Sequence, residues 1–294
     1  MVDISVVIPS KNGLPLLENQ LKALAQQKTT ATWEVIVSDN GSTDNTQGYI
    51  RDLSENFPVS LIYISSAKFP GAAGARNLGV LKARGDFVAF CDADDEVSDG
   101  WVEAIYQSSK SANVIGGPLY SLRDGVRGGR LGRNSIYPLR TQGFGVVSCN
   151  FAIKKSLLIE VGGFDMSLPA YGGEDIDLAL RLSRVVDSYT CNPQMIVFFR
   201  ETKNLKSRLV KIFKSNLSEI YIWKKCPNNF PEMNNRVWVL NSFIVSFTIA
   251  IGHIKNKNYT ASLRYLLKPL SILAYILKGP KKSAQPTYIE SMVD

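Results

Sequence analysis

Several groups of residues have the types and spacing to do chemistry. Asp92-Ala93-Asp94-Asp95 places three carboxylates in four positions, directly after the apolar run Phe87–Cys91. Hard oxygen ligands at a strand end suit Mg2+ or Mn2+ held jointly by the protein and a substrate diphosphate. Such a turn is ordinarily just solvated; a buried strand behind this one aims it into a crevice. Glu174-Asp175 follows Gly172-Gly173 and opens an amphipathic stretch carrying Leu178, Leu180 and Leu182. Acidic residues at a helix start ordinarily act as caps. Two adjacent carboxylates also raise one another's proton affinity, which suits a general base. Ser10, Lys11 and Asn12 follow the apolar run Ile4–Pro9, and Asp39, Asn40 and Ser42 end or follow Trp33–Asp39.

These positions gain meaning from the elements that carry them. ISVVIP (4–9) reads as a strand buried on both faces, and WEVIVSD (33–39), Val59–Ile64, FVAFCD (87–92) and Val114–Pro118 as further strands. Between them, helical spacing falls at Leu14–Gln27, Thr43–Asn56 (capped by Ser42 or Asp44), Ala72–Arg84 and Gly100–Ser111. The alternation predicts an α/β fold with a doubly wound, mostly parallel sheet flanked by helices. Its ligand crevice lies at the carboxyl ends of the strands. All the polar residues named so far, up to Asp95, fall along that one edge. A strand near Phe144–Ala152, a helix near Lys154–Val161 and the Gly162-Gly163 turn follow. Residues 121–134, rich in Gly and Arg, read as a mobile loop.

Composition removes several classes. The 294 residues are 45% hydrophobic and 20% charged, which is ordinary globular composition. Four dispersed cysteines form no CxxC pair, so a reducing compartment is expected, and a single histidine, His253, argues against Ser-His-Asp chemistry and multi-histidine metal sites. Met1-Val2-Asp3 runs straight into strand-like sequence, so no secretory leader is expected. No glycine fingerprint follows the first strand, which disfavours a dinucleotide-binding Rossmann unit. Gly71–Gly79 (GAAGARNLG) lacks GK[ST], which disfavours a P-loop; it reads equally well as a glycine-capped helix packed on the sheet.

In this order the motifs are familiar. ISVVIPSKNG, VIVSDNGSTDNT, GAAGARNLGVLKARGDFVAFCDADD, SCNFAIKKSLLIEVGGFD and GGEDIDLALRL resemble the family 2 glycosyltransferases over about residues 3–200. Those are inverting enzymes of the GT-A fold that use nucleotide-diphospho-sugars. The resemblance implies that Pro9, Ser10 and Asn12 line the nucleoside pocket and that Asp39 binds the base, of uracil or thymine type. It places Arg76 near the diphosphate, Asp92 at the ribose and Asp94 on Mg2+ or Mn2+. It makes Asp175 the base on the acceptor hydroxyl, with Glu174 orienting acceptor or sugar. Two departures stand out. Asn40 replaces a second aspartate common in relatives. Phe198-Phe199-Arg200 replaces a metal-binding histidine that some supply, which leaves Asp94 as the main protein ligand. The [QR]xxRW signature of processive synthases is absent, so transfer of a single sugar is implied. The competing readings are a sugar-nucleotide-binding protein with a degenerate site and a sugar nucleotidyltransferase. The latter would want a basic Gly-rich loop after the first strand, which Ser10–Gly13 does not supply.

The rest of the chain differs in character. Residues 200–294 hold 16 Lys and Arg against 5 Asp and Glu, whereas residues 1–199 hold 18 against 21. This predicts a catalytic domain over 1–200 and a basic, partly apolar helical extension over 201–294. Val237–Ile254 has no charged residue, but Asn241, Ser242, Ser246, Thr248 and His253 interrupt it. The lysines at 255, 257, 268, 278, 281 and 282 oppose a single crossing by the positive-inside tendency. Helices lying at an anionic membrane surface, or packed on protein, are expected instead. That surface would be the cytoplasmic face of the cell membrane, where a lipid-linked glycan acceptor would also lie. Nucleic acid is not an expected partner, because the lysines interleave with apolar runs and not with a polar stacking platform.

Overall fold

The computed structural model describes residues 2–139, 143–168, 173–186, 188–202, 204–229, 236–256, 259–278 and 286–292. Met1, Gly172, Lys257, Lys281 and Lys282, named above, lie outside them. In chain order the elements are β1 (Ile4–Ser10), α1 (Leu16–Ala25), β2 (Trp33–Asp39), α2 (Thr46–Ser54), β3 (Ser60–Ser65), α3 (Ala72–Lys82), β4 (Phe87–Cys91) and β5 (Glu96–Val97). Then come α4 (Trp101–Ser109), β6 (Val114–Gly116), β7 (Pro118–Arg123), β8 (Val126–Asn134), β9 (Ile136–Pro138), β10 (Phe144–Val146), β11 (Asn150–Lys154) and α5 (Lys155–Glu160). The chain continues through α6 (Glu174–Leu182), β12 (Tyr189–Cys191), β13 (Val197–Arg200), α7 (Leu205–Lys225), α8 (Arg236–Lys255) and α9 (Tyr259–Lys278).

Two compact units result. One comprises Met1–Met166, Asp177–Glu201 and Tyr288–Asp294; the other comprises Ser167–Ile176 and Thr202–Thr287. The first holds the expected α/β sheet, seven strands in the order β12-β6-β11-β4-β1-β2-β3. β1 runs parallel to β2 and β4, and β2 to β3; β11 enters antiparallel between β4 and β6. Every residue of β2 and β4 is buried, as their unbroken apolar runs require. Leu17, Leu21 and Leu24 of α1 are buried at helical spacing. On α3, a Cβ added to Gly79 would stand 2.3 Å from Val7 Cγ1, so the glycine is what lets this helix seat directly on β1.

A buried charge ties three segments of this unit. Ser5 Oγ donates to Glu34 Oε1 at 2.6 Å, the Arg84 backbone N–H donates to the same oxygen at 2.8 Å, and Arg84 Nε donates to Oε2 at 2.7 Å. Burial works against the Glu34 carboxylate, but the bonds from Arg84 and Ser5 outweigh it and hold its pKa below the ordinary 4.5. The last described residues also belong here. Ile289, 1% exposed, packs among Leu158, Phe164 and Leu178, and its N–H donates to the Gly162 carbonyl at 2.9 Å.

Three local expectations need correction. The strand expected near Phe144–Ala152 is two, β10 paired with β9 and β11 in the seven-stranded sheet, because residues 147–149 leave the extended ladder. The segment 121–134 is not an irregular loop: β7 and β8 form an antiparallel hairpin in the smaller sheet β5-β13-β7-β8. Asp124 (φ 55°) and Gly125 (φ 77°) are both left-handed, as the tight turn between right-twisted strands demands. Helix α2 begins at Thr46 and not at Thr43. The Asn12 and Asp44 side chains take up backbone N–H groups at Thr43, Asp44 and Thr46, and the Ser42 hydroxyl is spent on Asp39, which keeps residues 42–45 out of the helix.

The second unit is built on α7, α8 and α9. Along α8, Ser246 and Ala250 are buried and His253 is half-buried, an i, i+4, i+7 stripe. Ser262 Oγ of α9 reaches the Ala250 carbonyl at 3.0 Å, and Asn216 Nδ2 of α7 reaches the Arg264 carbonyl at 3.1 Å. No helix among the described residues is long and apolar enough to cross a membrane.

The Glu34 cluster generates a prediction with a definite sign. Arg84→Met leaves a buried carboxylate without its cation and should cost about 2–3 kcal/mol at neutral pH, Arg84 itself being half in water. A carboxylate whose folded pKa is depressed contributes stability above its unfolded value and loses it as pH falls through the folded one. Urea unfolding should therefore show the gap between wild type and variant closing below the ordinary 4.5 of the free side chain. A gap that is constant down the acid range would remove Glu34 as its cause.

Candidate functional site

The parallel register brings Ser10 beside Asp39 and Asp39 beside Ser65, with β4 ending next to β1. The carboxyl ends of these strands thus form one edge, and the expected site residues of the first unit line it. Just past β1, Asn12 takes φ 52°, and its backbone N–H donates to Ser42 Oγ at 2.8 Å. Ser42 passes the bond on, donating from its hydroxyl to Asp39 Oδ1 at 2.5 Å and from its backbone at 3.1 Å. Tyr63 donates to Asp39 Oδ2 at 2.9 Å, and burial together with this bond pushes its phenol up to about 12. Asp39 is thereby fixed at the strand end and 4% exposed, a preorganised acceptor on that edge. Ser10 Oγ is buried there with no hydrogen-bond partner among the described residues, and Pro9 is half-buried beside it.

Asn40 is not a weakened aspartate. Its Nδ2 donates to the carbonyls of Ser66 (3.0 Å) and Phe69 (2.9 Å), while its Oδ1 accepts from Gly71 N–H at 2.7 Å. Gly71, at φ 99°, precedes the first turn of α3. A single amide therefore holds the whole entry into the helix that carries Arg76. An aspartate could accept from Gly71 but could not donate to two carbonyls.

Arg76 is 4% exposed and donates through Nη2 to Asp92 Oδ1 at 2.9 Å, with its guanidinium 5.5 Å from the Phe164 ring centre. Gln20 of α1 braces the turn that follows β4. Its Nε2 donates to the Asp92 carbonyl (3.2 Å) and its Oε1 accepts from Val97 N–H (2.9 Å). In this turn Asp94 is exposed and Asp95 buried. Burial, then the charges of Asp92 and Asp94, push the Asp95 carboxyl well above the ordinary range. Its Oδ1 accepts from the Arg200 backbone at 2.8 Å, but its Oδ2 is buried without a partner among the described residues. One ligand atom each from Asp92, Asp95 and Cys149 lies within 4.8 Å of the others. An orphaned carboxylate oxygen in a three-aspartate turn fits a hard divalent cation; the Cys149 thiol is a softer ligand than such an ion prefers.

Glu174 and Asp175 occupy the first turn of α6, are half-buried, and are grouped with the second unit. The structure therefore joins Asn12 to Asp39 through Ser42 and joins Arg76 to Asp92 directly, within the first unit. Sequence reasoning missed Tyr63, Gln20, Cys149 and the role of Asn40. It also noted Arg200 only as a departure. In the structure that side chain clasps the acidic turn, donating from Nε to the Asp94 carbonyl at 2.7 Å.

Comparison with known proteins agrees with the motif order. A family described as "Glycosyl transferase family 2" matches residues 5–164. The chain is 31% identical over 121 residues to the GalNAc(5)-diNAcBac-PP-undecaprenol beta-1,3-glucosyltransferase of Campylobacter jejuni, which covers 40% of this chain and 39% of that one. The chain spans between about a fifth and a half of the length of the curated relatives it matches. Among solved structures, the mannosyltransferase PcManGT of Pyrobaculum calidifontis, in complex with GDP-Man and Mn2+, aligns with a TM-score of 0.60 at 17% identity, covering 93% of this chain and 86% of that one. S. aureus TarS 1-349, in complex with UDP-GlcNAc, aligns at 0.57 and 13% identity, covering 96% and 93%. Both share the GT-A-like α/β fold.

An aspartate at position 40 should harm this chain. Asn40→Asp loses two donors to backbone carbonyls and buries a charge, and should destabilise the protein by about 2–4 kcal/mol. Thermal unfolding checks this. A variant as stable as the wild type would show that the 66–71 segment is held by something else.

Proposed function

The chain belongs to glycosyl transferase family 2, and we propose that it is an inverting, non-processive transferase with its catalytic domain in residues 1–200. It moves one hexose from a nucleotide-diphospho-sugar to a hydroxyl acceptor. The observation that carries this reading is the polar edge at the ends of β1, β2 and β4, where the fixed Asp39 acceptor stands on the same edge as the pair of buried Arg76 and half-buried Asp92.

In this reading Pro9, Ser10 and Asn12 line the nucleoside pocket and Asp39 accepts the N3–H of a uracil- or thymine-type base. UDP- or dTDP-sugars are accordingly the donors of choice. Asp92 faces the ribose, and Arg76 stands by the diphosphate. Asp94, with Asp92 and the orphaned oxygen of Asp95, would hold Mg2+ or Mn2+. That cation would screen the charge of the departing diphosphate. Asp175 takes the proton from the acceptor hydroxyl as its oxygen bonds to the anomeric carbon and the carbon–diphosphate bond breaks. The electron pair of that bond leaves with the nucleotide. A single displacement from the face opposite the leaving group inverts the anomeric centre. Glu174 orients acceptor or sugar.

The acceptor we assign is a lipid-linked glycan of cell-surface polysaccharide synthesis. The Campylobacter relative is named for an undecaprenol-diphosphate substrate, and residues 200–294 are strongly basic. The protein then works at the cytoplasmic face of the membrane, held peripherally by its basic, apolar extension.

Two substitutions separate the roles. Asp175→Asn should preserve donor affinity while lowering the transfer rate by about 10²–10⁴-fold, as loss of a general base does. Asp94→Asn should weaken Mn2+-dependent binding of the nucleoside diphosphate, followed by calorimetry with and without EDTA. Undiminished transfer by Asp175→Asn, or full activity of Asp94→Asn in EDTA, would overturn the respective assignment.

A further inference from the structure

The second unit contains a cavity of about 340 Å³ lined by Glu219, His253, Arg264, Tyr265 and Lys268. That volume is ligand-sized. Lys268 Nζ donates to Glu219 Oε1 at 3.1 Å and lies 4.9 Å from the Trp223 ring centre, while Arg264 approaches Glu219 Oε2 at only 4.0 Å. Two cations thus share one carboxylate, leaving a net positive lining. His253 and Tyr265 stack at 5.5 Å, and neither side chain hydrogen-bonds another described residue, so both add uncommitted polar groups. A small anion with several acceptor oxygens would complete this set.

The helix that supplies His253 also carries an exposed apolar surface. Outside the stripe of Ser246, Ala250 and His253, Ile244 is 68% exposed, Phe247 53% and Ile251 52%, with Val245 and Ile254 also exposed. Contiguous apolar exposure of this kind marks a membrane or a protein surface. The cationic cavity on the same helix favours a membrane, since an anionic lipid joins its acyl chains directly to a phosphate, the two groups that this helix face and this cavity would take.

We propose that the cavity between α7, α8 and α9 binds the terminal phosphate of a membrane lipid, with the outward side of α8 in the acyl region. Arg264 and Lys268 take the phosphate oxygens, with the His253 and Tyr265 rings beside them. This deepens the peripheral-membrane part of the function proposed above and rests on it. Its test does not require turnover, so failure of the transferase assignment leaves it standing.

The full-length protein is floated with phosphatidylcholine vesicles containing either phosphatidic acid, a terminal phosphate, or phosphatidylglycerol, a bridged one, at matched surface charge. The wild type should bind the phosphatidic acid vesicles more tightly. Arg264→Gln/Lys268→Gln should lose about tenfold of that affinity and bind both vesicles alike, as expected for two charge-assisted bonds. Adding Glu219→Gln removes the carboxylate those changes strand, and should give the same result if the double variant folds poorly. Phe247→Ser should weaken both kinds of vesicle equally. Equal binding of the two vesicles by the wild type would overturn the proposal, as would phosphatidic acid binding unchanged in the triple variant. Calorimetry with inorganic pyrophosphate separates the free anion from the lipid. Pyrophosphate affinity lost in the triple variant without any loss on vesicles would also overturn it.

Discussion

β2 and β4 are buried along their whole length and β1 along nearly all of it, and this constraint governs the rest of the first unit. A strand covered on both faces can carry almost no polar side chain. Where one occurs, as with Glu34, its neighbours must neutralise it on the spot. Polar chemistry can accumulate only where the strands stop. Parallel pairing of β1 with β2 and β4 makes three strands stop on one edge, and the site is built there from whatever residues come next.

That edge is useful only if its groups are held still, and the hydrogen bonds supply this. Asp39 cannot swing, because Ser42 and Tyr63 hold its two oxygens. Arg76 cannot, because Asp92 and Phe164 flank it on a helix whose entry Asn40 has fastened. The acidic turn is braced from behind by Gln20 and clasped by Arg200. Each brace comes from a different element, so the geometry belongs to the packed unit and not to any motif alone.

This explains what could be read from the sequence. The unbroken apolar runs at 4–9, 33–39 and 87–92 declare buried strands, and the polar residues after them declare the edge. Family resemblance adds roles to Asp39, Arg76, Asp94 and Asp175. The braces were illegible, because Gln20 and Tyr63 sit among ordinary helix and strand residues, and only folding brings them to the turn and to Asp39. The hairpin at 118–134 was hidden for another reason. β8 is almost wholly exposed and so shows no alternation of apolar and polar residues, although Asp124-Gly125 announces its turn.

The return of the chain at Ile289 has a consequence for anyone wishing to dissect the protein. The second unit is not a tail: its longer segment, Thr202–Thr287, lies in the chain between stretches that belong to the first, as does its shorter one, Ser167–Ile176. Cutting after residue 201 therefore does not trim an appendage. It removes Ile289 from the hydrophobic cluster that also holds Leu158, Phe164 and Leu178. A fragment meant to reproduce the first unit would have to keep the segment from Tyr288 onward.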